Sequence, residues 1–221
     1  DFVGQTGVSG GSKEEVKKAA KKNMNIVQRA VAGLAEIFAP LIPAIIVGGL
    51  ILGFRNVIGD MKLFEDGTKS LVEISQFWAG THSFLWLIGE AIFHFLPVGV
   101  VWSIAKKMGA DQMLGIVIGI TLVSPQLLNA YSAGNGAAAP VWDFGFAQVP
   151  MIGYQAQVLP AIMVGFTFVY LERLFKKITP GPIQMIIVPF FSVIPTVLLA
   201  HTVLGPIGWK IGSVISGVIV A

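Results

Sequence analysis

The amino-acid sequence predicts an all-α, polytopic helical membrane protein. Hydrophobic residue types make up 54% of the 221 residues and charged types only 12%, and the mean hydropathy is +0.77. An ordinary soluble domain carries about twice that share of charge, and a disordered chain combines low hydrophobicity with high charge. Several apolar runs approach the ~20 residues that a helix needs to cross a bilayer. These observations leave the membrane class.

Apolar runs predict five complete transmembrane spans and a truncated sixth. They cover residues 37–54, 84–104, 113–128, 151–171 and 183–204, with a last run that starts near Ile211. Pro40 and Pro43 should bend the entry of the first span. The last run has 11 residues, about half of a span, so we expect the chain to be a fragment of a longer protein.

Lysine and arginine residues predict the orientation in the membrane. Segment 13–29 and the loops after the second and fourth spans carry eleven of the fifteen basic residues. Cytoplasmic loops are enriched in such residues, so we expect a cytoplasmic N-terminus. The net charge of +3 could suggest nucleic acid, but the basic residues flank apolar runs. We therefore expect a lipid bilayer and no nucleic acid as partner.

Glu90 and His94 are the first candidate substrate-binding residues. They are four residues apart, on one face of the second predicted span, with Trp86 one turn earlier. An ionisable residue within a span should face protein or water rather than lipid. The face could bind a sugar or a proton, or the pair could bond two packed helices to each other.

Two amide side chains, Gln126 and Gln155, are the other candidates for sugar binding. Gln126 lies at the end of the third predicted span and Gln155 at the start of the fourth. An amide can both donate to and accept from a hydroxyl-rich solute. Alternatively, they tie the loop between these spans to helix ends. His201 is interpreted as a packing histidine.

Catalytic and metal sites are not predicted within this chain. It has no cysteine and only three histidines, whose spacing fits no zinc site. Phosphate-cradling, serine-nucleophile and zinc-protease motifs are absent from the sequence. We therefore expect no metal and no cofactor, and the residues alone indicate part of a transporter or channel.

Six runs together resemble the membrane C domain of enzyme II permeases of the bacterial phosphoenolpyruvate-dependent sugar phosphotransferase system (PTS), glucose superfamily, sucrose/trehalose branch. They are PLIPAIIVGGLILGFRNVIGD (40–60), FLWLIGEAIFHFLPVGVVWSIAKKMG (84–109), LGIVIGITLVSPQLLNAY (114–131), VWDFG (141–145), GYQAQVLPAIMVGF (153–166) and LERLFKKITP (171–180). The resemblance covers about residues 20–221.

The resemblance implies a permease that takes up a disaccharide, with trehalose expected first and sucrose or another glucoside as alternatives. Such permeases phosphorylate the sugar on the cytoplasmic side, with the phosphoryl group supplied by a phosphocysteine on a soluble B domain. Residues 1–24 would be the tail of that domain and a linker, and residues 25–221 the N-terminal half of the membrane C domain. The family's G-[IV]-T-E-P motif, which holds the main sugar-binding Glu, does not occur here. The fragment alone is therefore expected to be inactive.

The resemblance also implies partners and a location. These are the phosphorylated enzyme IIB domain, the upstream proteins enzyme IIA and HPr, and a second copy of the chain in a homodimer. The location is the bacterial plasma membrane, with several spans. The rival class is a non-enzymatic secondary transporter or a membrane assembly module, because proline-broken spans fit that class equally well.

Overall fold

The computed structural model describes residues 25–220, and only the backbone of 219–220. The predicted linker and B-domain tail, residues 1–24, lie outside the described residues. Most of the described chain is helical. Two short antiparallel hairpins, which the sequence did not predict, lie in its loops; each has two strands.

The first two helices meet at a proline-rich break. Helix α1 spans Ile26–Phe38 and α2 spans Ile42–Asp60. The first predicted span began at residue 37, within α1. The long helix instead begins after Pro40 and places Pro43 in its first turn. Proline is tolerated there because the first-turn N–H groups have no partner within the helix.

A bent helix pair follows. Strands β1 (Lys62–Phe64) and β2 (Lys69–Ser70) and the short helix α3 (Leu71–Ile74) lead into α4 (Gln76–His94) and α5 (Leu96–Met108). The sequence predicted one uninterrupted span over 84–104, but the helix breaks at Phe95 and bends by 42°. Pro97 explains the break, because it has no N–H to donate to the preceding turn and its ring disfavours helix before it.

Helix α6 is shorter than the predicted third span. It covers Gln112–Leu122, begins at an Asp111 cap, and ends well before residue 128. Eleven residues correspond to about 16 Å of helix, roughly half of the bilayer core. Helix α7 (Ala130–Gly134) and the hairpin of β3 (Val141–Asp143) and β4 (Gln148–Pro150) follow.

The last part of the chain is a helical hairpin. Helix α8 spans Val158–Ile178 and is followed by a 3-10 turn, α9 (Gln184–Leu199), a π-helical turn (Ala200–Leu204) and α10 (Gly205–Val220). The sequence predicted a loop between a fifth span and a sixth. The structure instead has one continuous helical stretch, Gly181–Val218, of 38 residues. The π-turn allows this continuity, because Gly205 N–H donates to the Ala200 carbonyl five residues back.

Among the described residues, three helices are long and apolar enough to cross a membrane, or four with the bent α4–α5 pair. The predicted count of five complete spans and a truncated sixth stays a prediction. Helices α5, α6 and α8 pack against one another, and their fully buried side chains form the core: Val100, Val101, Ile104, Ile118, Leu122, Val164 and Phe168.

Candidate functional site

One irregular segment contacts the C-terminal ends of two helices, α4 and α6. We call residues 151–157, which connect β4 to α8, the crossing segment. Tyr154 N–H donates to the Leu122 carbonyl at 2.7 Å, and Ala156 N–H lies 3.4 Å from the His94 carbonyl. The last carbonyls of a helix have no partner within it. The crossing segment therefore completes the C-terminal ends of α4 and α6.

The crossing segment is held from its other side as well. Gly153 N–H donates to Leu128, and Leu128 N–H donates to Met151, both at 2.8 Å. Ala156 has a φ of 60°, a left-handed conformation that non-glycine residues adopt infrequently. Irregular backbone at membrane depth is tolerated where protein buries it or where it lines a cavity. In transporters, binding sites form at such broken helices.

Glu90 and His94 lie beside the break between α4 and α5. Their closest approach is 3.9 Å, from Nδ1 of His94 to Oε1 of Glu90. This is an ion-pair distance but exceeds that of a hydrogen bond, so the two side chains are not hydrogen-bonded to each other. The Glu90 side chain is 42% exposed and that of His94 18%. Within the described chain, the buried Nδ1 of His94 has no hydrogen-bond partner.

The two amide candidates differ in their surroundings. Gln155 is buried, and its Oε1 accepts a hydrogen bond of 2.7 Å from Ala130 N–H, at the start of α7. Gln126 is exposed, and its backbone N–H lies 3.4 Å from the Ser124 hydroxyl. The structure thus places Gln155 where it ties the crossing segment to a helix end, and leaves the Gln126 amide open to a solute.

His201 belongs to a buried aromatic cluster that the sequence did not predict. It lies in the π-turn, 5.3 Å from the Trp142 ring and 5.6 Å from the Tyr154 ring between centroids. The imidazole hydrogen-bonds the backbone of Ile152, while its buried Nδ1 has no partner among residues 25–220. Packing alone therefore does not account for His201, because one of its buried polar atoms has no hydrogen-bond partner.

Gly205 makes this cluster possible. A Cβ at this position would overlap the phenol of Tyr154, so only glycine allows the π-turn to lie against the crossing segment. The Gly205–Pro206 pair inside an apolar run was the available sequence signal. Glycine permits close backbone approach, and π-turns within α-helices occur frequently at functional sites.

A groove of about 550 Å³ opens beside the π-turn. Its walls are apolar side chains of the β3–β4 hairpin and of α9, with His201 as its polar member; they include Trp142, Phe144, Val193 and Val197. The hairpin turn is held by Asp143, which accepts from Gly145 N–H and from the Gln148 amide. These hydrogen bonds lower the pKa of Asp143, the Gln148 bond contributing most. The part of the chain that the structure describes contains no group of three His, Cys, Asp or Glu residues that could hold a metal ion.

Comparison with known proteins identifies the relatives of this chain. The family model described as "Phosphotransferase system, EIIC" matches residues 35–221. A trehalose-specific EIIBC component of the PTS from Escherichia coli is 48% identical, over 96% of this chain and 44% of the relative. A trehalose-specific EIIBC component from Bacillus subtilis is 39% identical, over 98% of this chain and 46% of the relative. A sucrose-specific EIIBC component from Vibrio alginolyticus is 35% identical, over 94% and 44%.

The chain therefore spans less than half the length of these curated relatives. No solved structure gives a significant match.

Proposed function

Because the chain belongs to the EIIC family of the phosphotransferase system, we propose that its parent protein is a PTS permease for a disaccharide, with trehalose as the substrate. The observation that carries this proposal is the 48% identity to a trehalose-specific component over 96% of the chain. The parent takes up the sugar and phosphorylates it on the cytoplasmic side. Its location is the bacterial inner membrane.

In this proposal, residues 25–221 form the N-terminal half of the membrane C domain and residues 1–24 belong to a linker from a B domain. The phosphorylated cysteine and the main sugar-binding glutamate lie in other parts of the parent. The partners are the phosphorylated enzyme IIB domain, enzyme IIA and HPr, and a second copy of the permease. In the parent, this half of the membrane domain contains five complete spans and part of a sixth.

A cytoplasmic N-terminus is part of the same proposal. The basic ends of α5 and α8 lie together, because Arg173 of α8 donates to the Met108 carbonyl at the end of α5. Lys107 of α5 also binds Glu36 of α1 at 3.1 Å. The enrichment of cytoplasmic segments in Lys and Arg supports placing this end inside. A cysteine replacing Lys62 should then react with an impermeant thiol reagent in intact cells, and one replacing Lys177 should not. The reverse pattern would contradict the orientation.

We propose that Glu90, His94 and the exposed Gln126 amide contact the sugar, and that Gln155 is a positioning residue. The exposure of Glu90 and the unpartnered Nδ1 of His94 support this assignment, because a buried nitrogen without a partner is costly unless a ligand or water binds it. In the full-length parent, Glu90→Gln and Glu90→Leu should raise the apparent KM for sugar at normal folded yield. Loss of folded yield with an unchanged KM would assign the pair to helix packing.

The function is tested with the purified parent in lipid vesicles. Enzyme I, HPr and enzyme IIA supply phosphoryl groups from phosphoenolpyruvate, and the product is sugar phosphate on the side of these proteins. We expect trehalose to be phosphorylated at a higher kcat/KM than sucrose. A higher kcat/KM for sucrose would show that sucrose is the preferred substrate. Accumulation of unmodified sugar without phosphoenolpyruvate would contradict the proposal and favour a secondary transporter.

A further inference from the structure

A second cavity, with a polar lining, lies between the C-terminal end of α2 and the N-terminal part of α4, beside the β1–β2 hairpin. It has a volume of about 350 Å³, at the lower end of the range for ligand-binding clefts. Its lining combines charged groups of both signs with a few small residues: Arg55, Gly59, Asp60, Lys62, Ser70, Val72, Glu73 and His82. We call this cavity the hairpin pocket.

The close contact of α2 with His82 shapes one wall of the hairpin pocket. A Cβ at Gly59 would lie 2.6 Å from Nε2 of His82, well inside van der Waals contact. Glycine at this position therefore lets the imidazole of α4 lie directly against α2. The ring is only partly exposed and lines the cavity.

Arg55 is preorganised by an aromatic side chain. Its guanidinium lies 4.4 Å from the centroid of the Trp86 ring, a distance at which cation–π attraction operates. Among the described residues, its buried Nε has no hydrogen-bond partner, and Nη1 reaches Asn56 Oδ1 only at 3.4 Å. The guanidinium is thus fixed in place with donors available to a ligand.

Glu73 is a second fixed charge in the lining. Its Oε2 accepts a hydrogen bond of 2.6 Å from Ser70 N–H, in the cap of α3. The hydrogen bonds from the backbone and the side chain of Ser70 lower the pKa of Glu73, so the carboxylate is ionised at neutral pH. An ionised carboxylate is a pure acceptor, which complements the donors of Arg55 and Lys62.

The balance of charge indicates which ligand fits. Arg55 and Lys62 offset Asp60 and Glu73, so the lining carries no net formal charge apart from His82. A neutral solute with many hydroxyl groups satisfies both sets of groups, because each hydroxyl donates to a carboxylate and accepts from a cationic donor. We propose that the hairpin pocket binds a neutral saccharide before it enters the permease, an inference that rests on the proposed function.

The location supports this order of events. The hairpin pocket lies at the opposite end of the α4–α5 pair from the basic residues Lys106 and Lys107. In the proposed orientation it therefore faces the outside, where sugar first meets the protein. Along α4 it precedes Glu90 and His94, which lie two to three turns further into the membrane.

The experiment measures protection of an introduced cysteine by trehalose. The full-length parent carries Val72→Cys, inside the hairpin pocket, or Leu63→Cys, an exposed position on β1 outside it. Unsealed membranes make both faces accessible, and mass spectrometry of the labelled peptide separates this site from other cysteines. With trehalose at about ten times its dissociation constant, labelling of Val72→Cys should slow about tenfold. Labelling of Leu63→Cys should not change, and adding Arg55→Gln should abolish the protection at Val72→Cys.

The outcomes separate this inference from the proposed function. A parent that phosphorylates trehalose without protecting Val72→Cys would overturn the hairpin pocket alone. Equal protection of both cysteines, protection that persists with Arg55→Gln, or a Val72→Cys that never reacts would overturn it as well. A parent that does not phosphorylate trehalose refutes the proposed function, and protection by another saccharide would then still support the pocket.

Discussion

Glu172 should be the charged residue of α8 on which the fold depends most. It is 1% exposed, and its two carboxylate oxygens lie 3.2 and 3.1 Å from Asp111 N, at the start of α6. Oε1 also contacts Lys176 Nζ at 2.6 Å. The carboxylate thus joins the α5–α6 turn to α8.

The size of the effect follows from these contacts. Removing one partner of a fully buried ion pair costs about 3–5 kcal/mol, but Lys176 is 49% exposed and keeps its hydration. The main loss in Glu172→Leu is the charged acceptor for Asp111 N–H, which is worth about 1.5–3 kcal/mol. We therefore expect Glu172→Leu to lower the free energy of unfolding by about 2–3 kcal/mol. Glu172→Gln keeps an acceptor oxygen and should lose about half of that.

The assay is unfolding of the parent in mixed micelles with increasing dodecyl sulfate, followed by circular dichroism. Glu65 provides a matched control, because it forms an equally spaced ion pair with Lys69 at 2.7 Å, but on the surface. Glu65→Gln should cost no more than about 0.5 kcal/mol. Equal destabilisation by Glu172→Gln and Glu172→Leu would refute the role of the accepted hydrogen bond, as would an effect no larger than that of Glu65→Gln.

Three further predictions concern helix packing and use the same unfolding assay. Gly48→Leu should lower the free energy of unfolding by about 1–3 kcal/mol through overpacking, because a Cβ there would lie 3.1 Å from Ile92. Gly49→Leu should have no such effect, because Gly49 has open space around it. Equal effects of the two variants would contradict this packing. Gly205→Ala should lower the free energy of unfolding by at least about 2 kcal/mol. The control Gly217→Ala, in the same helix, meets nothing within 4 Å and should be neutral or slightly stabilising. A Gly205→Ala variant as stable as the parent would count against the contact between the π-turn and Tyr154. Ser103→Ala removes a buried 2.7 Å hydrogen bond to the end of α1 and should cost about 1 kcal/mol; a variant as stable as the parent would show that this bond contributes nothing.

The sequence predicted the class of fold and most helical regions, because long apolar runs with few charges have one common solution in a membrane. Where it failed, the cause was a local interruption. The break at Phe95 depends on Pro97, which lies within the predicted second span and was not recognised as a helix break. The continuity of Gly181–Val218 depends on a π-turn, which no periodicity indicates.

The candidate site could be predicted only in part for a related reason. Glu90 and His94 were found because they are four residues apart within one helix. The contacts of the crossing segment with the ends of α4 and α6 join residues far apart in sequence. Gln155 was recognised as a polar residue near a helix start, but its partner Ala130 is 25 positions away. The glycine that contacts the next helix is also not evident from the sequence: a Cβ at Gly48 would meet Ile92 of α4, whereas Gly49 has open space around it.

The π-turn also sets the rotational phase of everything that follows it. A turn with one extra residue shifts the helix face by about 100° relative to an unbroken α-helix. Deleting a single residue from Ala200–Leu204 would therefore leave α10 helical but rotate it, turning Gly208 away from the Pro160 backbone that it meets on α8. Two homologous chains that differ by one residue here would present different sides of α10 to the same neighbour.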